Sequence, residues 1–135
     1  MALISLQQLR IVEDTLKQIR ESIRNLELWN APFVEVNDML TSPEGAKTLA
    51  ADCMLIEAMG EGFKRIDERT QGHLLSTRPE IPWKAVKGMR DHIAHGYFDI
   101  NNNMVWDVVK NDLVPLRDAV DYFLEHLYEI VPFEE

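Results

Sequence analysis

Residues 9–26 read LRIVEDTLKQIRESIRNL, and the apolar positions in this stretch repeat with the period of an α-helix. Six apolar residues, each three or four positions from the next, carry the repeat: Leu9, Val12, Leu16, Ile19, Ile23 and Leu26. Such spacing places them on one helical face, which another element must cover. The sequence therefore predicts a first helix over about residues 2–29 that packs in a bundle, the alternative being a stripe that packs against a partner chain.

Three further main helices and one short helix complete the predicted fold. Ser42 and Pro43 favour a helix start, and this second helix should continue to about residue 70. Gly60 and Gly62 within it indicate that another helix packs closely there. The other helices are predicted at residues 83–95, 106–110 and 113–128, with a packed connection over 30–40. With no confident strand, the fold class is all-α, an up-and-down bundle of four main helices plus a short extra helix.

The composition is that of an ordinary globular protein. A length of 135 residues predicts one domain, residues 1–135, with a buried core. The single cysteine, Cys53, excludes a disulfide framework and lies in an apolar stripe, which predicts an unreactive core thiol in a reducing cytoplasm. No window approaches the roughly 18 apolar residues of a membrane span, and the N-terminal residues do not resemble a signal peptide. We therefore expect a cytoplasmic protein without a membrane segment.

The charge of the chain is distributed unevenly. A net charge of −9 argues against a protein that coats nucleic acid non-specifically. Residues 78–95, however, carry two more basic than acidic side chains before the histidines are counted. The basic residues of this segment are Arg78, Lys84, Lys87 and Arg90. A local cationic patch on an acidic body suits a specific phosphate site.

The segment from Arg90 to Tyr97 concentrates groups that bind phosphate and transfer protons. On a continuous helix Asp91 and His95 would share one face, so that the carboxylate could orient the imidazole. Arg90 would lie about 140° around the helix from His95, and the two could flank one phosphate. One more helical turn would bring Tyr97 to the face of Arg90. The residues alone leave an alternative open, a surface salt bridge at a helix end with Tyr97 at the edge of the core.

Other chemistries find little support in the sequence. The spacing of His92 and His95 would allow both to coordinate one metal ion on a helix. A metal site needs further ligands, however, and these would have to come from Asp91, His73 or His126. We therefore predict no metal site and no cofactor. The chain also lacks a glycine-rich dinucleotide motif, a phosphate-binding P-loop and a nucleophile elbow, which argues against nucleotide-dependent enzymes and serine hydrolases.

The pattern Arg90-x-x-x-x-His95-x-Tyr97 resembles the signature of the HEPN superfamily and, within it, of the HepT-like toxins. Several flanking segments are similar to that family as well: Gly60-Glu61, Ile81-Pro82-Trp83, Gly88 and residues 106–115. The family usually has asparagine after the motif arginine, where this chain has Asp91.

This resemblance implies an all-α ribonuclease toxin that needs no metal and acts as a homodimer, with two motifs lining one cleft. It implies catalytic roles for Arg90 and His95 and supporting roles for Asp91 and Tyr97. It also implies a minimal nucleotidyltransferase antitoxin, which in the family can add AMP to the motif tyrosine, here Tyr97. The neighbouring basic residues would then bind RNA; they are Arg78, Lys84 and Lys87.

The chemistry of RNA cleavage suits these residue types. RNA supplies its own nucleophile, the 2′-hydroxyl, so cleavage needs a base, an acid and a cation for the charge that develops on phosphate. His95 can serve as base or acid, and Arg90 offers a bidentate fork to phosphate. The alternative is a non-catalytic HEPN module that binds a nucleotidyltransferase and helps to hold its substrate, which the acidic composition and Asp91 favour.

Overall fold

The structure, a computed structural model, describes residues 3–95 and 98–135. Its elements follow one another as β1 (Ile4–Ser5), α1 (Leu6–Asn30), α2 (Val36–Leu40), α3 (Pro43–Arg69), a 3₁₀ turn (Leu75–Thr77), α4 (Trp83–Lys87), α5 (Met89–Ile93), α6 (Asn102–Asp107), a π-helical turn (Val108–Asp112), α7 (Leu113–Ile130) and β2 (Phe133–Glu134). The fold is all-α, as predicted. No helix in the described ranges is long and apolar enough to cross a membrane.

Helix α1 is the predicted amphipathic helix, with a later start. All six residues of the apolar stripe are buried, and they pack against α3 and α7. The helix begins at Leu6 because the Ser5 hydroxyl accepts a hydrogen bond from the Gln8 N–H at 3.1 Å, which caps the first turn. Ahead of this cap, β1 pairs in parallel with β2 through Ile4 and Phe133. The apolar pattern predicted neither strand, because each is only two residues long.

Helix α3 begins and ends close to the predicted residues. The Ser42 hydroxyl accepts the N–H of Gly45 at 2.9 Å, and Pro43 is the first helical residue. The predicted close approach at Gly60 is confirmed: a Cβ atom there would lie 3.1 Å from the carbonyl oxygen of Val86. Helix α4 therefore packs directly on the backbone of α3.

The predicted single helix over residues 83–95 is wrong, because the segment forms two five-residue helices. Gly88 separates α4 from α5, and glycine is among the least favourable residues in a helix interior. Helix α5 ends at Ile93, and Ala94 is extended with φ −161° and ψ 146°. Ala94 forms an antiparallel bridge with Ile100. The bundle thus has three long helices, α1, α3 and α7, and its fourth member is this broken pair.

An aromatic cluster holds the broken pair in place. The ring of Trp83 lies 5.1 Å from that of Phe63 on α3 and 5.8 Å from that of Phe123 on α7. Its indole N–H donates to the carbonyl of Arg78 at 3.0 Å. The apolar residues that follow along α4 and α5 are also buried: Val86, Met89 and Ile93. Helices α4 and α5 are therefore anchored to the core along one side.

The other connections differ in part from the predictions. Residues 31–40 form a connection that is only partly packed, since Met39 is buried whereas Val34 is 86% exposed. The predicted short helix at 106–110 is divided between α6 and the π-helical turn, which leads directly into α7.

A polar cluster, buried at Asn30 and Asp52 and exposed at Lys110, joins α1, α3 and the π-helical turn. The side-chain amide of Asn30 donates to the carbonyl of Leu26 at 2.9 Å and to Asp52 Oδ1 at 2.8 Å. The ammonium of Lys110 donates to the carbonyls of Asn30 at 3.0 Å and Phe33 at 2.9 Å. Burial raises the pKa of Asp52 to about 6, against the opposing effects of the Asn30 hydrogen bond and the Lys110 charge.

Candidate active site

Arg90 projects from α5 toward α3. The neighbouring residues Met89 and Ile93 are buried, whereas the Arg90 side chain is 63% exposed. Its Nε atom lies 3.2 Å from Oε1 of Glu57, a residue of α3 whose side chain is 43% exposed. The motif arginine is thus paired across two helices with a carboxylate that the sequence did not single out.

Arg90 lines two neighbouring cavities. The first, of about 480 Å³, is mostly apolar; its lining includes Cys53, Met54, Glu57, Glu61, Ala94 and Ile100. The second, of about 430 Å³, is charged; its lining includes Glu61, Lys64, Asp67, Glu68, Lys87 and Asp91. Since Glu61 and Arg90 are common to both, the guanidinium stands at the border between an apolar and a charged surface.

Cys53 lies at the edge of the first cavity rather than deep in the core. It is half-buried, so the predicted core position is corrected. Burial, together with the carboxylates of Asp52 and Glu57, raises the pKa of its thiol to about 11. A thiol of this kind is a poor nucleophile near neutral pH.

His95 lies beyond the end of α5, on a segment held by backbone hydrogen bonds. Its N–H donates to the carbonyl of Asp99 at 3.0 Å, and the N–H of Asn101 donates to the carbonyl of Ile93 at 2.7 Å. The exposed His95 lines a third cavity of about 320 Å³ together with His92, Asp99 and Asn101. Two imidazoles therefore border one polar cavity.

The predicted shared face of Asp91 and His95 is wrong. It required an unbroken helix, but Ala94 is extended and His95 has left the helical path. Asp91 lines the second cavity and His95 the third. Arg90 and His95 likewise line different cavities, although Ala94 contributes to a cavity on each side. Tyr97 lies outside the described residues.

The predicted RNA-binding cations differ in their availability. Arg78 pairs with Glu80 at 3.0 Å and lies over the ring of Tyr122 at 5.1 Å. Lys87 donates to Asp67 at 2.7 Å, with both side chains largely buried. Lys84 is exposed and has no carboxylate within 4.0 Å in the described part of the chain.

Sequence reasoning missed Glu57 as a site residue. A signal was present, since Glu57 and Glu61 are four residues apart on α3 and Gly60 between them contacts α4. Carboxylates one turn apart lie on one face of a helix. In the described ranges, no three His, Cys, Asp or Glu side chains gather as metal ligands would.

Comparison with known proteins assigns the family. Residues 33–123 match the family described as "Ribonuclease HepT-like". A protein of Thermococcus cleftensis named "Probable ribonuclease HepT" is 30% identical over 105 residues, which is 78% of this chain and 88% of that protein. A Methanocaldococcus jannaschii protein named "Putative RNase" is 35% identical over 65 residues, 48% of this chain and 50% of that protein, so the chain spans only half the length of this relative. No solved structure matches the chain. The chain belongs to the HepT-like ribonuclease family.

Proposed function

We propose that this protein is an endoribonuclease toxin that cleaves RNA without a metal and acts as a homodimer. Arg90 and His95 are the proposed catalytic residues, with Asp91 and Tyr97 in support. A minimal nucleotidyltransferase antitoxin would neutralise the toxin, for example by adding AMP to Tyr97. Bulk and negative charge on that hydroxyl would block access of the RNA backbone.

The exposure of Arg90 and His95 supports this proposal independently of family membership. Arg90 and His95 are both exposed, and each borders a cavity to which Ala94 also contributes. An exposed guanidinium can bind phosphate, and an exposed imidazole can exchange protons with a substrate. A cation for the phosphate and an imidazole for proton transfer therefore lie on neighbouring surfaces, which supports the proposal.

The proposed reaction uses the 2′-hydroxyl of RNA as nucleophile. One imidazole takes the 2′ proton while the 2′ oxygen bonds to phosphorus, and the bond to the 5′ oxygen breaks as a second imidazole donates a proton to it. Arg90 would bind the non-bridging oxygens, on which negative charge develops. In the proposed dimer His95 of one copy serves as base and His95 of the other as acid.

The flanking basic residues are proposed to contribute unequally to RNA binding. Lys84 would bind the RNA backbone most directly, because no carboxylate of the described residues neutralises it. Lys87 and Arg78 would contribute less, since each is paired with a carboxylate. Two copies that share one cleft would double the local positive charge.

The test is cleavage of total RNA and transfer RNA by purified protein in EDTA. The protein is produced without an antitoxin, and its mass is checked for AMP on Tyr97. We expect cleavage by the wild type and by His126→Ala, a control histidine that interacts with Glu129 on the exposed part of α7. We expect none by His95→Ala. Cleavage that persists in His95→Ala, or a protein that sediments strictly as a monomer, would contradict the proposal.

A second candidate function is favoured by the ion pairs of the site. Because Glu57 already pairs with Arg90 and Asp67 with Lys87, the patch is less cationic than its sequence suggests. A non-catalytic module that binds a nucleotidyltransferase and helps to hold its substrate would tolerate this neutralisation. Absence of cleavage by unmodified wild-type protein, together with binding to such an enzyme, would favour this function.

A further inference from the structure

The contact between Glu57 and Arg90 involves only one edge of the guanidinium. The 3.2 Å contact joins Glu57 Oε1 to Nε of Arg90 as an ion pair without hydrogen-bond geometry. A guanidinium is planar and carries five N–H donors, and the Nε edge is distinct from the outer edge formed by the two Nη atoms. A carboxylate on the Nε edge therefore leaves the outer edge able to form two parallel hydrogen bonds with a phosphate.

Glu57 lies on a long, well-packed helix, whereas Arg90 lies on a short one. Glu57 lies in the middle of α3, a helix of 27 residues that packs on α1, α2, α4 and α5. Arg90 lies on α5, which has five residues, and its long side chain is 63% exposed. Without a partner such a side chain samples many rotamers, and ordering it opposes binding. The contact with α3 limits this freedom.

We propose that Glu57 is a positioning residue, which orients the guanidinium of Arg90 so that its outer edge faces the phosphate of the RNA. This inference rests on the proposed ribonuclease function. Glu57 itself contributes negative charge beside a polyanion, which weakens RNA binding. Its benefit must therefore appear in the chemical step, where a misplaced catalytic group is costly. These two opposite effects distinguish a positioning role from a merely structural one.

The experiment compares three variants by single-turnover cleavage and by RNA affinity. Glu57→Ala removes the carboxylate, and we expect its cleavage rate to fall about tenfold while its RNA affinity stays equal or rises. Glu57→Gln keeps the size of the side chain but removes the charge of the ion pair, so its cleavage rate should fall to a similar extent. Asp121→Asn is the matched control, because Asp121 Oδ1 pairs with Nε of Arg20 at 2.7 Å between α7 and α1, and its rate should not change.

A second measurement needs no catalysis. The steady-state ¹⁵N–¹H NOE of the Arg90 Nε–H signal, assigned by its loss in Arg90→Lys, should be higher in the wild type than in Glu57→Ala and Glu57→Gln, because the ion pair restricts the motion of the side chain. If no protein cleaves RNA, the ribonuclease proposal fails, and equal NOE values in all three proteins would overturn the positioning of Arg90 as well. An unchanged or higher cleavage rate in Glu57→Ala would overturn it directly, because Glu57 would then only compete with phosphate.

Discussion

Replacing Asp52 by asparagine should stabilise the protein at neutral pH but not in acid. Asp52 is fully buried on α3, and its Oδ2 has no hydrogen-bond partner among the described residues. Oδ1 of Asn30, equally buried, also lacks one. A protonated Asp52, or an asparagine, carries a donor at the Oδ2 position that can serve the Asn30 oxygen, whereas an ionised carboxylate does not. The pocket thus favours the neutral side chain.

The magnitude follows from the pKa of this carboxyl, which is about 6 in the fold and 3.8 in its absence. Between these values the unfolded chain has lost a proton that the folded chain retains, so the free energy of unfolding falls by about 1.4 kcal/mol per pH unit. The stabilising contribution is complete below pH 3.8 and lost above pH 6, where both states are ionised. The total loss is roughly 3 kcal/mol, and an asparagine avoids it at every pH.

Equilibrium unfolding in urea at a series of pH values between about 4 and 8 measures this effect. The difference in free energy of unfolding between Asp52→Asn and the wild type should increase up to about pH 6 and then remain constant. Asp121→Asn, which removes an exposed carboxylate paired with Arg20, should differ from the wild type by at most about 1 kcal/mol. A pH-independent difference for Asp52→Asn would refute the reasoning. So would a wild type that is the more stable protein at pH 8, since Lys110 would then be stabilising an ionised Asp52.

Three further predictions concern packing, RNA binding and thiol reactivity. Gly60→Ala should destabilise the fold by about 1–3 kcal/mol in thermal unfolding, because its Cβ would meet a backbone carbonyl of α4 at 3.1 Å. Gly62→Ala should cost less, because its Cβ would meet side-chain atoms of Ile19 at 3.0 and 3.3 Å and of Thr15 at 3.5 Å, which can shift more easily than a backbone carbonyl. Lys84→Ala should lower the slope of log RNA affinity against log salt concentration by about one. Lys87→Ala should lower it by less, because Lys87 is already paired with Asp67, and equal decreases would contradict this. Cys53 should react with iodoacetamide about a hundredfold more slowly than a free thiol near pH 8, because burial raises its pKa to about 11; alkylation at the free-thiol rate would disprove this.

The long helices could be predicted because many residues contribute to each pattern. Six stripe residues determine the buried face of α1, and the Ser42 cap with Pro43 determines where α3 begins. The break at Gly88 could not be predicted in the same way, since a single glycine is often tolerated inside a helix. The pairing of β1 with β2 depends on residues at opposite ends of the chain, which no local pattern relates.

The site was predictable in its residue types but not in its arrangement. The spacing of Arg90 and His95 indicated a cation and an imidazole close together in sequence, and the family resemblance of the motif favoured a functional site over a surface salt bridge. Their relative position depends on where α5 ends, and Ala94, the first residue after α5, pairs with Ile100, a residue that the helical pattern does not relate to it. The Glu57 contact depends on how α5 packs against α3, which the periodicity of either helix leaves open.

The end of α5 at Ile93 determines how the two motif side chains are supported. Arg90 belongs to α5 and is held by Glu57, whereas His95 is held by a backbone hydrogen bond to Asp99. The two side chains are therefore supported by different parts of the fold. In one chain they line separate cavities, yet cleavage at a single phosphate needs a cation and an imidazole together. In the proposed homodimer this requirement is met if Arg90 of one copy acts with His95 of the other. The state of association in solution is therefore decisive for the proposed function.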